Sequence, residues 1–271
     1  MNADPHPDVR AYLARIGLAT ATLSPTYATL SAILHAHARS IPFENLDVLL
    51  HRPIRLDIAA LQRKLVDSRR GGYCFEHATL LAAMLEAIGF AIVRHTARVV
   101  LYTSRTQAPR THMFLTVDVD GRTFVVDPGF GGLAPDAPVP LEAADTDPAG
   151  ASHWLARDGR SWVLRARAGD SSVDCWVSTL DADNLVDFDV CNHYTATHPA
   201  SPFVNRLMLR AVTDDGTVSV MNTIVKYTGG DGIRETMLVD RAALRALLSA
   251  RFGFDLPEVL SMRVPAIGEW T

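Results

Sequence analysis

The stretch "RRGGYCFEH" (residues 69–77) places Cys74 at the point where a glycine pair meets a helix. Gly71 and Gly72 let the backbone turn sharply. The residues that follow carry apolar side chains at three- and four-residue spacing, which predicts a helix that begins near Cys74. The free N–H groups at a helix start favour an anion, and hence the thiolate form of a cysteine. The local pattern makes Cys74 a candidate nucleophile.

A cysteine in this position has two interpretations. Most free cysteines are small buried packing residues, and Cys74 could be one of them. Arg69 and Arg70 add positive charge to the same loop, which favours the second interpretation, a thiol nucleophile. Such a nucleophile needs a base, and the base needs a partner that orients it. The choice between the two interpretations therefore depends on whether the rest of the chain supplies a base and its partner.

The stretch "HMFLTVDVDGRTFVVDPGFGG" (residues 112–132) predicts a β-hairpin that supplies a base and its partner. Apolar and polar residues alternate on both sides of Asp120-Gly121, and an Asp-Gly pair is a strong signal for a two-residue turn. That turn sets the register, which places His112 and Asp127 on the same face of the sheet as diagonal neighbours. A one-residue bulge would break this parity.

Each of these residues also has a structural interpretation. Asp127 ends a strand, where aspartate often bonds its own backbone, and His112 could belong to an edge strand. Taken together with a cysteine at a helix start, the pair suggests a Cys-His-Asp triad of the kind that recurs on unrelated folds. The residues alone leave the choice about even.

Two other motifs carry less chemistry. The stretch "PGFGG" (residues 128–132) lacks the spacing of a dinucleotide-binding loop, so its glycines more plausibly let the backbone pass close to a substrate, with Phe130 as a flat apolar wall. The stretch "HAHAR" (residues 35–39) has no second cluster at metal-ligand spacing, and no metal site is expected.

Composition narrows the class of protein. The chain has 271 residues, 48% of them hydrophobic, and a net charge of −4, which argues against a nucleic-acid-binding protein. Local basic pockets for a phosphorylated cofactor remain compatible with that charge. Three cysteines form no disulfide framework, the N-terminus lacks a signal-peptide pattern, and no apolar run is long enough to span a bilayer. A cytoplasmic protein without membrane contact is expected.

The order of elements predicts an α+β fold. Helical patterns occupy the first ninety residues, strand patterns follow, and a capped helix lies near the end, which differs from an alternating parallel-sheet fold. The predicted helices cover residues 8–18, 24–40 (with Ser24 as cap), 57–68, 74–89 and 240–254. The predicted strands cover residues 90–102, 112–119, 122–127, 161–168, 174–180, 206–212, 218–228 and 234–240. Residues 135–152 are expected to form a loop and residues 197–203 a connector.

Four segments together resemble the arylamine N-acetyltransferase family, in its bacterial form. They are "SIPFENLDVLL" (residues 40–50), "RRGGYCFEHATLL" (69–81), "RTHMFLTV" (110–117) and "VVDPGFGG" (125–132). Their order and spacing also match, and the likeness is close in the first half of the chain and general in the second. The sequence departs from the family pattern at Ala78-Thr79, where relatives often have Asn, and at Pro128, which leaves acceptor preference open.

The resemblance implies a fold and a mechanism. The expected architecture is a helical bundle (residues 1–90), a β-barrel (91–200) and an α/β lid (201–271), with a papain/transglutaminase-like core. Cys74 would accept the acetyl group, His112 would act as base, and Asp127 would orient His112. Transfer would be ping-pong: acetyl-CoA acylates the cysteine, CoA leaves, and an arylamine, hydrazine or arylhydroxylamine takes the acetyl group.

The resemblance also implies binding residues. An apolar acceptor pocket is expected at Phe43, Phe130, Phe203 and Gly131, and the CoA mouth at Thr111, Gly129 and Gly131. Glu44 and Arg70 match a supporting ion pair. Partners would be the small-molecule acceptor and acetyl-CoA, with no nucleic acid, no membrane and a possible homodimer. The alternatives are a cysteine hydrolase or amidase with the same three residues, and a silent binding module.

Overall fold

A computed structural model describes residues 6–19, 23–144, 148–268 and 270. The loop prediction at residues 145–147 lies outside this part of the chain. The α-helices are α1 Val9–Arg15, α2 Tyr27–Ser40, α3 Leu46–Leu49, α4 Ile58–Leu61, α5 Cys74–Ile88, α6 Leu185–Thr197, α7 Pro202–Asn205 and α8 Arg241–Leu247. The π-helical segments Gln62–Asp67 and Leu248–Phe252 continue α4 and α8, and short 3-10 turns lie at Gly131–Leu133, Pro257–Ser261 and Pro265–Ile267.

Helix ends follow the local sequence with one shift. The Asp57 carboxylate accepts the Ala60 N–H at 3.0 Å and caps α4 as expected, and α5 ends at Gly89 with φ of 107°. The predicted cap of α2, Ser24, is wrong. Thr26 is the cap instead, because its hydroxyl accepts the N–H of Thr29 at 3.3 Å.

A seven-stranded sheet holds the middle of the chain. Its order is β5-β4-β3-β2-β8-β7-β6, and its neighbouring strands are antiparallel. A bridge between Ala143 and Leu155 brings its two edges together, so the sheet is a near-closed barrel. The strands are β2 Ala91–Val99, β3 Arg110–Val119, β4 Arg122–Val126, β5 Val139–Pro140, β6 His153–Asp158, β7 Ser161–Ala168 and β8 Ser171–Ser178.

The hairpin of β3 and β4 has the predicted register. Val119 pairs with Arg122, and the two turn residues, Asp120 and Gly121, have φ of 53° and 74°. Such positive φ values at both positions are typical of the two-residue hairpin turn. No bulge interrupts the pairing of residues 115–119 with residues 122–126, as the predicted register requires.

A second sheet of five strands lies beyond the barrel in the chain. Its order is β1-β9-β10-β11-β12, so the N-terminal strand β1 joins a sheet from the other end of the chain. The strand predicted at residues 218–228 is two strands, because Asn222 turns the chain with φ of 56°. The strands are β1 Phe43–Glu44, β9 Met208–Thr213, β10 Gly216–Met221, β11 Ile224–Gly229 and β12 Gly232–Met237.

Two large apolar cores organise these layers. One surrounds α5 and the hairpin, and the other lies between the five-stranded sheet and α8. The observed elements confirm the α+β class and the order of helices before strands. The elements α3, α6, α7, β1, β5 and β6 were not predicted, and β5 lies within the stretch 135–152 that was expected to be a loop. Each helix in the described part of the chain is too short or too polar to cross a lipid bilayer.

Candidate active site around Cys74

Cys74 is the first residue of α5 and is only 2% exposed. The Glu76 carboxylate accepts the N–H of Tyr73 at 3.1 Å, which caps this helix start. A Cβ at Gly71 would lie 1.8 Å from the carbonyl oxygen of Pro42, so a side chain there is excluded. Gly71 is therefore required by the close approach of two loops. Their packing fixes the position of the start of α5, and with it the position of the Cys74 thiol.

His112 and Asp127 are brought together as predicted. His112 Nε2 lies 2.7 Å from Asp127 Oδ2, and both side chains are buried. The Cys74 thiol donates to the carbonyl oxygen of Thr111 at 3.6 Å, one residue before His112. Side chains from α5, β3 and the end of β4 thus meet at one buried point.

The electrostatics favour a charged imidazole. Burial alone would lower the pKa of His112, but the Asp127 carboxylate and the Cys74 sulfur outweigh it and raise that pKa to about 10. His112 therefore carries a proton at neutral pH, and its cation favours an anion beside it. This arrangement can stabilise a thiolate at Cys74 and supply a proton to a leaving group.

Asp127 has two further partners. Trp176 Nε1 donates to Oδ2 at 2.9 Å, and the N–H of Gly129 donates to Oδ1 at 3.2 Å. The indole of Trp176 also stacks on Phe114, with ring centroids 4.2 Å apart. The strand at Trp176 is predicted by the sequence, but the contact of its indole with Asp127 is not. The one sequence feature that could indicate this contact is a tryptophan on the side of a strand that faces the barrel interior.

Gly129 lies directly against the candidate nucleophile. A Cβ at this position would be 2.6 Å from Cys74 Cα and 3.1 Å from Cys74 Cβ. Glycine is required here because any side chain would displace the start of α5. This packing explains one glycine of "PGFGG" without invoking a ligand.

The three phenylalanines predicted for an acceptor pocket lie around this point. Phe43 and Phe203 have ring centroids 6.2 Å apart, and Phe130 packs edge-on against His112 at 4.9 Å. A Cβ built at Gly131 would be 3.8 Å from the Phe43 ring. All three residues are half-buried.

Glu44 and Arg70 form the predicted ion pair. Arg70 Nη2 lies 2.6 Å from Glu44 Oε1, and its Nη1 lies 3.0 Å from Asp47. Lys64 extends the network, with Nζ at 2.8 Å from Asp47 and 2.7 Å from Glu76. Burial disfavours the Asp47 carboxylate, but Lys64 and Arg70 outweigh it and lower the pKa of Asp47 to about 2. The Arg70 guanidinium therefore binds the carboxylates of Glu44 and Asp47.

A chain of buried hydrogen bonds was not anticipated from sequence. The Tyr12 hydroxyl bonds His37 Nδ1 at 2.9 Å, His37 Nε2 bonds His77 Nδ1 at 2.8 Å, and His77 Nε2 bonds the Pro42 carbonyl at 3.2 Å. Burial lowers the pKa of His77 to about 4, and it also lowers the pKa of His37. Both rings are therefore neutral at pH 7. Their hydrogen bonds link α1 and α2 to α5 and to the loop before Phe43.

Metal ligands are not grouped in the described residues. No cluster of three or more histidine, cysteine, aspartate or glutamate side chains there could hold a metal ion. The chemistry that the arrangement offers is that of a thiol, an imidazole and a carboxylate.

Comparisons with known proteins point to one family. Residues 26–260 match the sequence profile of a family described as N-acetyltransferase. An arylamine N-acetyltransferase of Mycolicibacterium smegmatis is 40% identical over 271 residues, covering 96% of this chain and 96% of the relative. A Salmonella typhimurium protein named arylamine N-acetyltransferase / N-hydroxyarylamine O-acetyltransferase is 36% identical, covering 87% and 85%.

A solved structure shows the same fold. The Mycobacterium marinum arylamine N-acetyltransferase in complex with CoA aligns with a TM-score of 0.86 at 34% identity, over 93% of this chain and 94% of that one.

Proposed function

This chain belongs to the arylamine N-acetyltransferase family, a family of acyltransferases, and from that premise we propose that it works by a ping-pong mechanism through acetyl-Cys74. The donor is acetyl-CoA, and the acceptor is the nitrogen of an arylamine, hydrazine or arylhydroxylamine. The observation that supports this most directly is the 2.7 Å bond between His112 and Asp127 beside a cysteine that starts a helix.

In the first half-reaction, the Cys74 thiolate attacks the thioester carbonyl carbon of acetyl-CoA. A new C–S bond forms, and the tetrahedral adduct expels the thiolate of CoA. His112, protonated because Asp127 holds its charge, gives its proton to that leaving sulfur. The products are acetyl-Cys74, neutral His112 and CoA with a free thiol.

In the second half-reaction, the acceptor nitrogen attacks the acetyl-cysteine carbonyl. Neutral His112 takes a proton from that nitrogen, the C–S bond breaks, and Cys74 leaves as a thiolate beside the restored imidazolium. A weakly basic aromatic amine is neutral at pH 7, so it enters an aromatic pocket without the cost of burying a charge. Phe43, Phe130 and Phe203 are proposed to form that pocket.

Burial of the sulfur supports transfer over hydrolysis. With Cys74 only 2% exposed, water has limited access to an acetyl-cysteine. Thr111, Gly129 and Gly131 are proposed as the mouth through which CoA reaches the thiol, since the Thr111 carbonyl and Gly129 both contact Cys74.

The experiment is intact-mass measurement after mixing with acetyl-CoA and no acceptor. One acetyl group should appear on the native chain, remain there, and leave when an aniline is added. A Cys74→Ala variant that still transferred acetyl groups would end the proposal. Rapid release of acetate without any amine would favour the cysteine hydrolase instead.

The larger organisation is also a proposal. We propose three units at residues 1–90, 91–200 and 201–271, the last acting as a lid, around a papain/transglutaminase-like core in which the cysteine starts a helix and the base lies on a strand. Limited proteolysis should cut near residues 90 and 200 if these units are real. A cytoplasmic location and a homodimer are proposed as well. Light scattering that finds only monomer would end the latter.

A further inference from the structure

A cavity of about 210 Å³ opens beside the aromatic wall of the site. It lies between α2, the strands β9 and β10, and the segment that follows β4. We refer to it as the basic cleft. Its lining comprises His35, Ala38, Arg39, Ile41, Phe43, His77, Pro128, Gly131, Ala134, Asp136, Arg210, Val212 and Thr217.

Arg210 is the central feature of the basic cleft. It pairs with Phe43 across β1 and β9, so both side chains lie on the same face of the five-stranded sheet. It is half-buried and makes no hydrogen bond or ion pair of 4 Å or less with any described residue. Burial lowers the pKa of Arg210, against a smaller opposing effect of Asp136, but a guanidinium keeps its charge at neutral pH. A half-buried cation without a close partner is costly unless a ligand supplies the anion.

The surrounding charges also favour an anion. Arg39, exposed on α2 at the same cleft, has no ion pair within the described residues. Asp136 is the one carboxylate in the lining, opposite two arginines, although the whole chain has a net charge of −4. The lining therefore carries a local excess of positive charge although the whole chain is negative.

The positive charge continues along the sheet. Ser219 pairs with Arg210, and Lys226 pairs with Ser219, so the row Phe43, Arg210, Ser219 and Lys226 runs across one face of four strands. On the fifth strand the row ends at Glu235, which pairs with Lys226, so Arg210 is the cation of the row without a cross-strand carboxylate. Cross-strand partners point to the same side of a sheet. A ligand that starts on the Phe43 ring would meet a cation at the next strand and another two strands further.

We propose that the basic cleft binds an anionic group of a substrate through Arg210, with Arg39 as its exposed second cation. The group is an oxyanion that a guanidinium can hold with two parallel hydrogen bonds: a phosphate of the acyl donor, or a carboxylate on the aromatic acceptor. The inference rests on the proposed function, because it assigns the cleft to substrates of Cys74.

The test compares Arg210→Gln with Arg160→Gln, which removes an exposed arginine in the turn between β6 and β7. KM is measured for acetyl-CoA and for S-acetylpantetheine, which lacks the nucleotide phosphates. It is also measured for 4-aminobenzoate and for aniline, which lacks the carboxylate. Asp136→Asn, which removes the competing carboxylate, is expected to lower the affected KM two- to threefold.

If Arg210→Gln raises the KM for acetyl-CoA about tenfold and leaves the KM for S-acetylpantetheine unchanged, the phosphate is the bound group. A similar rise for 4-aminobenzoate, with aniline unchanged, identifies the carboxylate. Equal changes for all four substrates, or changes no larger than those of Arg160→Gln, would overturn the proposal.

Direct binding separates this inference from the mechanism. Titration calorimetry of CoA and of 4-aminobenzoate with the native chain and with Arg210→Gln needs no acetyl transfer. A larger dissociation constant in the variant for CoA or for 4-aminobenzoate supports the proposed role of the cleft, even if Cys74 proves not to be acetylated. Equal constants for both ligands refute the cleft while leaving the acetyl-cysteine mechanism intact.

Discussion

Trp176 donates its indole N–H to Asp127 Oδ2 at 2.9 Å, across 49 residues of sequence. The same oxygen lies 2.7 Å from His112 Nε2. A carboxylate held from two sides has less freedom to turn away from the imidazole, so the tryptophan acts on the triad through Asp127. Trp176 is therefore a positioning residue in the proposed mechanism.

We expect Trp176→Phe to slow the reaction of Cys74 with iodoacetamide about tenfold or more, since a hydrogen bond to a charged group contributes roughly 1.5 kcal/mol or more. Phenylalanine keeps an aromatic ring against Phe114. Trp154→Phe is the matched control, because the Trp154 indole N–H is buried with no partner in the described structure. If both variants slow the reaction equally, loss of aromatic volume is the cause and the indole bond is not.

Gly129→Ala should sharply reduce Cys74 reactivity. The added Cβ would lie 2.6 Å from Cys74 Cα, and backbone atoms cannot yield that space without moving the start of α5. Gly132→Ala is the control, because its Cβ would meet no atom within 4 Å. Alkylation rates of the two variants provide the measurement. Comparable rates would show that α5 can shift without harm to the site.

The sequence allowed the local parts of this site to be predicted. The Asp120-Gly121 turn sets its own geometry within four residues, so the register and the pairing of His112 with Asp127 followed from it. The role of Trp176 did not, because it depends on β8 pairing with β2, a contact between distant segments that no local pattern encodes.

Three features were not predicted from the sequence, each for a physical reason. The helix α6 contains β-branched residues, Asn and His, and leaves Leu185, Val186 and Val190 exposed, so it shows no clear apolar stripe. The turn at Asn222 contains no glycine, so the sequence pattern predicts one long strand where the structure has two. The buried histidine chain escaped detection because ten histidines occur in the sequence and only tertiary packing selects two.

Arg70→Ala should lower the free energy of unfolding by about 3–5 kcal/mol, because it leaves Glu44 and Asp47 buried without their shared cation. Urea denaturation is the measurement. Arg122→Ala breaks an ion pair with Glu142 in which both side chains are more than half exposed, and should cost no more than about 1 kcal/mol. Similar midpoints for the two variants would contradict a structural role for the buried network.

The stability of the fold should fall between pH 6.5 and pH 4. His37 and His77 have folded-state pKa values below the unfolded value near 6.5, with burial as the main cause and about 4 for the pKa of His77. Both rings are neutral in the native state, so above pH 6.5 neither opposes folding. As pH falls, the unfolded chain binds protons that the native state does not, and each histidine contributes a loss of up to about 1.4 kcal/mol of stability per pH unit.

Urea unfolding between pH 6.5 and pH 4 tests this prediction. The carboxylate of Asp47, with a pKa of about 2, loses its contribution only below this interval. A free energy of unfolding that stays constant or rises from pH 6.5 to pH 4.5 would contradict this sign of the pH dependence.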